Sequence, residues 1–433
     1  MARCATCRSR LEREAVDWCL SCGGAVPGDG AVWELDTPSA KRARPPRHTR
    51  LSSSEPPGRR SGWKGALAVC TGVVVIVLAG LGFGVEGEAG VLRGVGLFPA
   101  YDVITGTYGY IDSRGAMIIE PRFTEAQPFS EGLAAVADGQ TWGYIDRFGE
   151  MAIPAWLDEA SAFSDGLAAV EILDETGYVD EQGDLVGWPG SPGSEPFAEG
   201  RAAALVRTED LFLWGYVDRT GALVIQPQFL LAGTFSEGRA AVMVRDETGA
   251  FRSGYIDSTG AMVIPAQFLA AEPFSDGLAA VWTGESSSSS WGYIDRAGAL
   301  AIAPRFSEAG SFSEGLAAVR LSGEQTRAGY GYIDTSGSLV ISPRFWDAGP
   351  FSQGLAAVQP SSADGDYRWG YIDREGKRVI PAQFSEAGPF KPGGLALVTL
   401  DEAGTEHAYI DRNGTIVYQW TEPAEQPVGA PSG

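Results

Sequence analysis

Residues 129–136 read Phe-Ser-Glu-Gly-Leu-Ala-Ala-Val, and after five intervening residues the chain continues Trp142-Gly-Tyr-Ile-Asp-Arg-Phe-Gly-Glu-Met-Ala-Ile-Pro154. Three β-prone runs lie in this stretch: Leu133–Val136, Trp142–Asp146 and Glu150–Ile153. The last two are joined by Asp146-Arg-Phe-Gly149. An aspartate opens such a turn by accepting hydrogen bonds from the backbone ahead of it, and the glycine takes the left-handed conformation that a bulged hairpin needs. In Trp142-Gly-Tyr-Ile the alternation of a strand puts Trp142 and Tyr144 on one face and Ile145 on the other. A meander of this size cannot bury both faces alone, so it requires a neighbour.

The neighbour is another copy of itself. Gly-Tyr-Ile/Val-Asp begins at Gly109, Gly143, Gly177, Gly215, Gly254, Gly292, Gly331 and Gly370, and a ninth copy begins with Ala408, in steps of 34, 34, 38, 39, 38, 39, 39 and 38 residues. A period in this range means one supersecondary unit copied and stacked, and arrays of that kind bind or scaffold more often than they house one catalytic centre. The turn aspartate recurs at Asp112, Asp146, Asp180, Asp218, Asp257, Asp295, Asp334, Asp373 and Asp411. Nine carboxylates at one structural position invite a reading as a calcium ladder. Each lacks a fixed acidic companion in its own loop, so capping of its own turn is the reading adopted. Tryptophan precedes the glycine at Trp142, Trp214, Trp291 and Trp369, that is, in alternate copies. These four are candidate partner-binding aromatics, set against a plainer role as large core residues. Phe123, Ala126 and Phe129 in the linking loop are expected to plug the space between neighbouring units. Length varies most between Ala-Ala-Val and Gly-Tyr, so loops at one position of every unit line one edge, the expected partner surface.

The net charge of −22 is unevenly divided: residues 1–64 carry 12 Lys/Arg against 7 Asp/Glu, whereas residues 65–433 carry 21 against 48. An acidic array of that strength repels nucleic acid and anionic lipid. The repeats contain no cysteine. Cys4, Cys7, Cys19 and Cys22 form two Cys-x-x-Cys pairs, which predict a minimal structural zinc ribbon with Zn²⁺ closed in by four thiolates, over residues 1–28. A redox dithiol is the alternative, and one such pair would serve it. Residues 29–64 are a Pro-, Ser- and Arg-rich linker. Residues 65–84 run twenty positions without a charge, enough for one transmembrane helix, assigned to 65–85. Positive charge upstream and Glu86 and Glu88 downstream place the N-terminus in the cytoplasm and the repeats outside. Thiolate ligands kept in a reducing compartment give the same orientation. A connector covers 86–100, the nine repeats 101–420, and a Pro/Glu tail 421–433.

The ordered set Trp-Gly-Tyr-Ile-Asp-x-x-Gly, Ile-x-Pro-x-Phe and Phe-Ser-Glu-Gly-Leu-Ala-Ala-Val resembles the bacterial WG, or KWG, β-repeat over about residues 101–420. The third copy departs most, with Trp188-Pro-Gly-Ser-Pro-Gly where others have Pro-x-Phe. The resemblance implies a β-rich interaction array and no defined activity. Two architectures fit: stacked three-stranded meanders as an open β-solenoid-like superhelix, or a β-propeller. Both the first and last copies carry three strand-like runs, so no unit is split between the chain ends, which favours the open stack. The function expected is that of a non-enzymatic, single-pass membrane scaffold whose external repeats bind an envelope protein or glycan. An envelope enzyme of glycoside hydrolase type is one alternative, since it needs only paired carboxylates. A transmembrane sensor whose zinc ribbon contacts a cytoplasmic protein or nucleic acid is another.

Overall fold

The computed structural model describes residues 96–173, 175–187, 195–208, 211–284, 290–322, 329–361 and 367–422, together with the short strands Ala2–Arg3 and Arg10–Leu11. The chain divides into two compact units, Met1–Thr71 and Gly72–Gly433. In the first, Ala2–Arg3 and Arg10–Leu11 pair antiparallel, Ala2 opposite Leu11. Cys4, Cys7, Cys19, Cys22, the linker and the apolar stretch 65–84 lie outside the described residues. Among the described residues no helix is long and apolar enough to cross a membrane.

The second unit is all β, built of small antiparallel sheets in which each strand pairs with the next in sequence. Its repeating element has four strands, one more than the sequence suggests. In the second repeat these are Glu125–Ala126, Ala134–Asp138, Thr141–Ile145 and Met151–Leu157. The extra strand is the two-residue Glu-Ala of the linking segment, whose backbone pairs with the Ala-Ala-Val strand (Glu125 opposite Ala137, Ala126 opposite Val136). In the sixth to eighth repeats this link is unbroken, because Leu300–Ala309 and Leu339–Ser352 each leave one meander and open the next, giving a ten-stranded sheet.

The Trp-Gly pair and the Ile-Pro pair are explained together by one bulge. In the seventh repeat Tyr330 faces Phe345 and Tyr332 faces Ile341, so two residues on one strand are matched by four on the other. The surplus backbone folds over Gly331, where a methyl group would stand 2.5 Å from the Ile341 carbonyl oxygen and 2.8 Å from the Pro343 nitrogen. Only glycine admits that approach, and proline is tolerated because bulge residues make no ladder bond. The ninth repeat is the natural control. It has Ala408 for glycine and no proline, and its strands run in register there, with His407 opposite Trp420 and Ala408 opposite Gln419.

Burial follows the alternation. Tyr110, Ile119 and Phe123 of the first repeat pack with Phe129, Ala134, Val136 and Ile145 of the second, and the same assembly recurs between successive repeats. Each tyrosine of the repeated Gly-Tyr pair from Tyr110 to Tyr371 lies edge-on or tilted against the phenylalanine of the following repeat, at centroid distances of 4.6–5.0 Å. Its hydroxyl donates to a backbone carbonyl seventeen residues on, as Tyr332 does to Gly349 at 2.8 Å. Burial holds the phenols of Tyr293 and Tyr332 above their ordinary pKa, so they remain donors.

The sequence favours two free ends; the structure brings them together. Phe98, Ala100 and Ile111 of the first repeat share a core with Leu395, Tyr409 and Trp420 of the ninth. Tyr108 donates to Glu422 at 2.9 Å and Tyr418 to the Tyr101 carbonyl at 3.1 Å. This seam is made by side-chain packing between separate sheets, not by a shared ladder, so it forms no closed barrel. The physical reason is that the terminal repeats present the same apolar faces as internal ones, and each buries the other.

Candidate functional site

The recurring acids are committed to backbone work. In each Asp-x-x-Gly turn the aspartate Oδ1 accepts from backbone amides ahead: Asp334, for example, accepts from Ser336 and Ser338, both at 2.9 Å. Asp112, Asp146, Asp180, Asp218, Asp257, Asp295 and Asp411 do the same with residues two and four on, and Asp373 accepts from Lys377. Hydrogen bonds from Thr220, Thr259 and Ser336 hold Asp218, Asp257 and Asp334 below the usual carboxylate range. Their partners are donors of the turn itself. The turn glycine takes a positive φ, 81° at Gly337.

A second set of acids ties repeat to repeat. In Phe-Ser-Glu/Asp-Gly the serine hydroxyl donates to the phenylalanine carbonyl of the next repeat, as Ser275 to Phe312 at 2.6 Å and Ser313 to Phe351 at 2.7 Å. The following acid, itself at positive φ (53° at Asp276), accepts the glycine N–H of the next repeat, as Asp276 from Gly315 at 2.7 Å. Arg296 pairs with Glu237 at 2.6 Å on the same belt. Among the described residues no group of three or more His, Cys, Asp or Glu is placed to hold a metal ion. His407, the one histidine of the repeats, lies 3.8 Å from Glu422 and tilts against Trp420.

Trp142, Trp214, Trp291 and Trp369 are half-buried, packed on the cores of their own repeats beside Tyr144, Tyr216, Tyr293 and Tyr371. Solvent-facing aromatic surface comes instead from residues beside them. Trp346 is 55% exposed and Tyr367 51%, their rings 5.4 Å apart. Arg320 donates to the Trp346 carbonyl at 3.0 Å, pairs with Glu308 at 3.0 Å, and lies 4.6 Å over the Tyr330 ring. Tyr330 in turn donates to Glu308. Burial, and then that hydrogen bond, raise the Tyr330 pKa and keep the phenol protonated. In the sixth repeat Trp282 stacks on Trp291 at 6.1 Å with 13° between planes.

This edge joins an exposed aromatic pair to a guanidinium and a carboxylate already fixed by each other. Such a surface stacks planar or ring-shaped groups while offering polar handles beside them. Two of its members escape a reading of the motif. Trp346 occupies the position after Pro-x-Phe, where other repeats carry Thr124, Ser307 or Ser385, and Tyr367 lies in the variable stretch. The signal available was departure from the repeat, not agreement with it.

A family model described as a WG containing repeat matches residues 108–140, 142–174, 214–247, 254–281, 291–324, 330–359 and 369–402, just over half of the chain. The divergent third copy falls between two of these matches. No curated protein matches the chain. Among solved structures, a eukaryotic initiation factor is similar with a TM-score of 0.54 at 12% identity, over 76% of this chain and 96% of that one. The β-propeller domain of the Trilobed protease from Pyrococcus furiosus, described as having an open velcro topology, is similar at a TM-score of 0.34 and 10% identity, over 60% and 95%. At such identities the likeness concerns the fold alone.

Proposed function

The chain belongs to the WG-containing repeat family, and from that premise we propose a non-enzymatic binding scaffold whose propeller-like array takes its partner along the aromatic loop edge. The observation that carries this reading is the exposed Trp346–Tyr367 pair held beside Arg320 and Glu308. The acids support the same reading, because the turn set and the inter-repeat set both serve as acceptors for backbone amides. A hydrolytic pair needs carboxylates free to exchange protons with a substrate. The partner class is an envelope protein or glycan. Residues 65–85 serve as a single-pass anchor with the N-terminus in the cytoplasm, and Cys4, Cys7, Cys19 and Cys22 hold a structural Zn²⁺ there. The charge step across the apolar stretch supports that orientation.

Replacing Trp346 and Tyr367 by alanine tests the binding reading. The double variant keeps the wild-type melting profile, because both side chains are more than half exposed. Its retention on a purified envelope fraction falls at least about tenfold, as expected for loss of an aromatic anchor pair. Unchanged retention would remove this edge from the account. Reporter fusions after residues 64 and 433 test the anchor: activity of the C-terminal reporter inside the cell would contradict it.

A further inference from the structure

At the seam between the ninth and first repeats lies a cavity of about 970 Å³, large enough for a small ligand or a short stretch of peptide. Its charge balance is the reverse of the array around it. Residues 65–433 carry 21 Lys/Arg against 48 Asp/Glu, whereas Arg147, Lys391 and His407 line the cavity against one carboxylate, Glu386. Two of these cations stand where the repeat elsewhere matches its own groups. Arg219 and Arg296, which follow their turn aspartates as Arg147 does, pair with Asp165 and Glu237. Lys391 occupies the place from which Ser313 and Ser352 donate to the next phenylalanine carbonyl. Arg147 and Lys391 are both exposed, and neither side chain has a carboxylate partner among the described residues.

The wall also presents a buried donor. Eight tyrosines, from Tyr110 to Tyr371, donate their hydroxyls to a backbone carbonyl in the following linking segment. The ninth, Tyr409, is 6% exposed and lines the cavity, and its hydroxyl has no acceptor among the described residues. Burial raises its pKa, so the phenol stays a donor. Thr399, 4% exposed, adds a second hydroxyl to the wall, 3.5 Å from His407 Nδ1. Phe129 and Trp369 supply aromatic surface. We propose that this cavity is a second binding site, for a short apolar peptide that carries a carboxylate. A carbonyl of the peptide accepts the Tyr409 hydroxyl, as a backbone carbonyl does for each of the other eight tyrosines. Its carboxylate meets Arg147 and Lys391 at the rim, where charge-assisted bonds to a cation are strongest for an anion brought out of water. Its apolar side chains pack on Phe129 and Trp369. The site shares no residue with the Trp346–Tyr367 edge, and it does not depend on that edge binding anything.

Titration calorimetry on the full chain tests the site with three probes: acetyl-Ala-Val-Phe as the free acid, the same peptide as its C-terminal amide, and acetyl-Ala-Glu-Phe-amide. The free acid binds at least about tenfold tighter than its amide. If the carboxylate enters on a side chain instead of the chain end, the glutamate peptide recovers that advantage. Arg147→Gln combined with Lys391→Gln abolishes the preference for the charged probes, and both residues are exposed, so the variant keeps the wild-type melting profile. Tyr409→Phe also melts as wild type and weakens the charged probe about fivefold, as expected for one lost hydrogen bond. Trp346→Ala with Tyr367→Ala leaves this binding unchanged. Equal affinity for all three probes, or no binding of any up to about 1 mM, would overturn the proposal. So would a preference that survives the Arg147/Lys391 double variant, an affinity that Tyr409→Phe does not lower, or loss of binding in the Trp346/Tyr367 variant, which would place the peptide on the loop edge.

Discussion

Gly331→Ala probes the contact that gives the repeat its signature. The added methyl would meet the Ile341 carbonyl oxygen at 2.5 Å and the Pro343 nitrogen at 2.8 Å. Ordinary contact begins near 3.4 Å, so the facing strand must withdraw by roughly 0.9 Å at the carbonyl oxygen, through backbone that cannot change rotamer. That strand is pinned on either side, by Tyr330 opposite Phe345 and Tyr332 opposite Ile341, with Ile341 and Phe345 both buried. Overpacking a core costs about 1–3 kcal/mol, and rigid surroundings put this site at the upper end, near 3 kcal/mol. The matched control is Ala408→Gly, in the ninth copy, where the strands run in register at this position. There the substitution removes a side chain from a strand and costs only about 0.5–1 kcal/mol. Equilibrium urea unfolding followed by tryptophan fluorescence reads both, with the slope monitored because arrays unfold in stages. A Gly331→Ala cost below about 0.5 kcal/mol, or equal costs at the two positions, would refute the close-approach argument.

Three further outcomes follow from the same geometry. Phe312→Ala, at a side chain 1% exposed and 4.9 Å from the Tyr293 ring, costs about 3–5 kcal/mol in the same urea assay. Ser313→Ala removes the 2.7 Å bond to the Phe351 carbonyl and costs about 1 kcal/mol, with faster amide exchange in both the seventh and eighth repeats. Asp334 has a folded-state pKa depressed below its ordinary 3.8 by the Ser336 hydrogen bond, so its stabilisation is complete above that value and is lost as pH falls through the depressed one. The melting difference between wild type and Asp334→Ala is therefore constant from pH 7 to 5 and shrinks below about pH 4; a difference that grows on acidification would contradict the assigned role.

Much of this fold was legible because its physics is local and repeated. Alternation placed Tyr144 and Ile145 on opposite faces, and they do enter different cores. The period required stacking because neither face of one meander can be covered from within. Two features were not legible. The short Glu-Ala strand is stabilised by backbone pairing with the neighbouring strand, and two residues leave no periodic signal. The meeting of the ends depends on how all nine repeats are placed together, which no single repeat encodes. Terminal sequence was a poor guide there, since an array can return on itself without splitting a unit between its ends. The candidate surface was half legible: variable loop length pointed to the edge where Tyr367 is exposed, while the tryptophans that keep the period, Trp142 to Trp369, pack against the cores. Exposure belongs to Trp346 and Tyr367, whose positions the repeat does not dictate.

The measurement that bears most directly on the binding account is site-specific photocrosslinking in the native host. A benzophenone side chain replaces Tyr367 or Trp346, and Phe148, 70% exposed in the turn of the second repeat, serves as the control position. The account predicts a discrete adduct with an envelope component from positions 367 and 346 and none from 148. Adducts of equal yield at all three positions, or none at 367 and 346 in a folded chain, would contradict it.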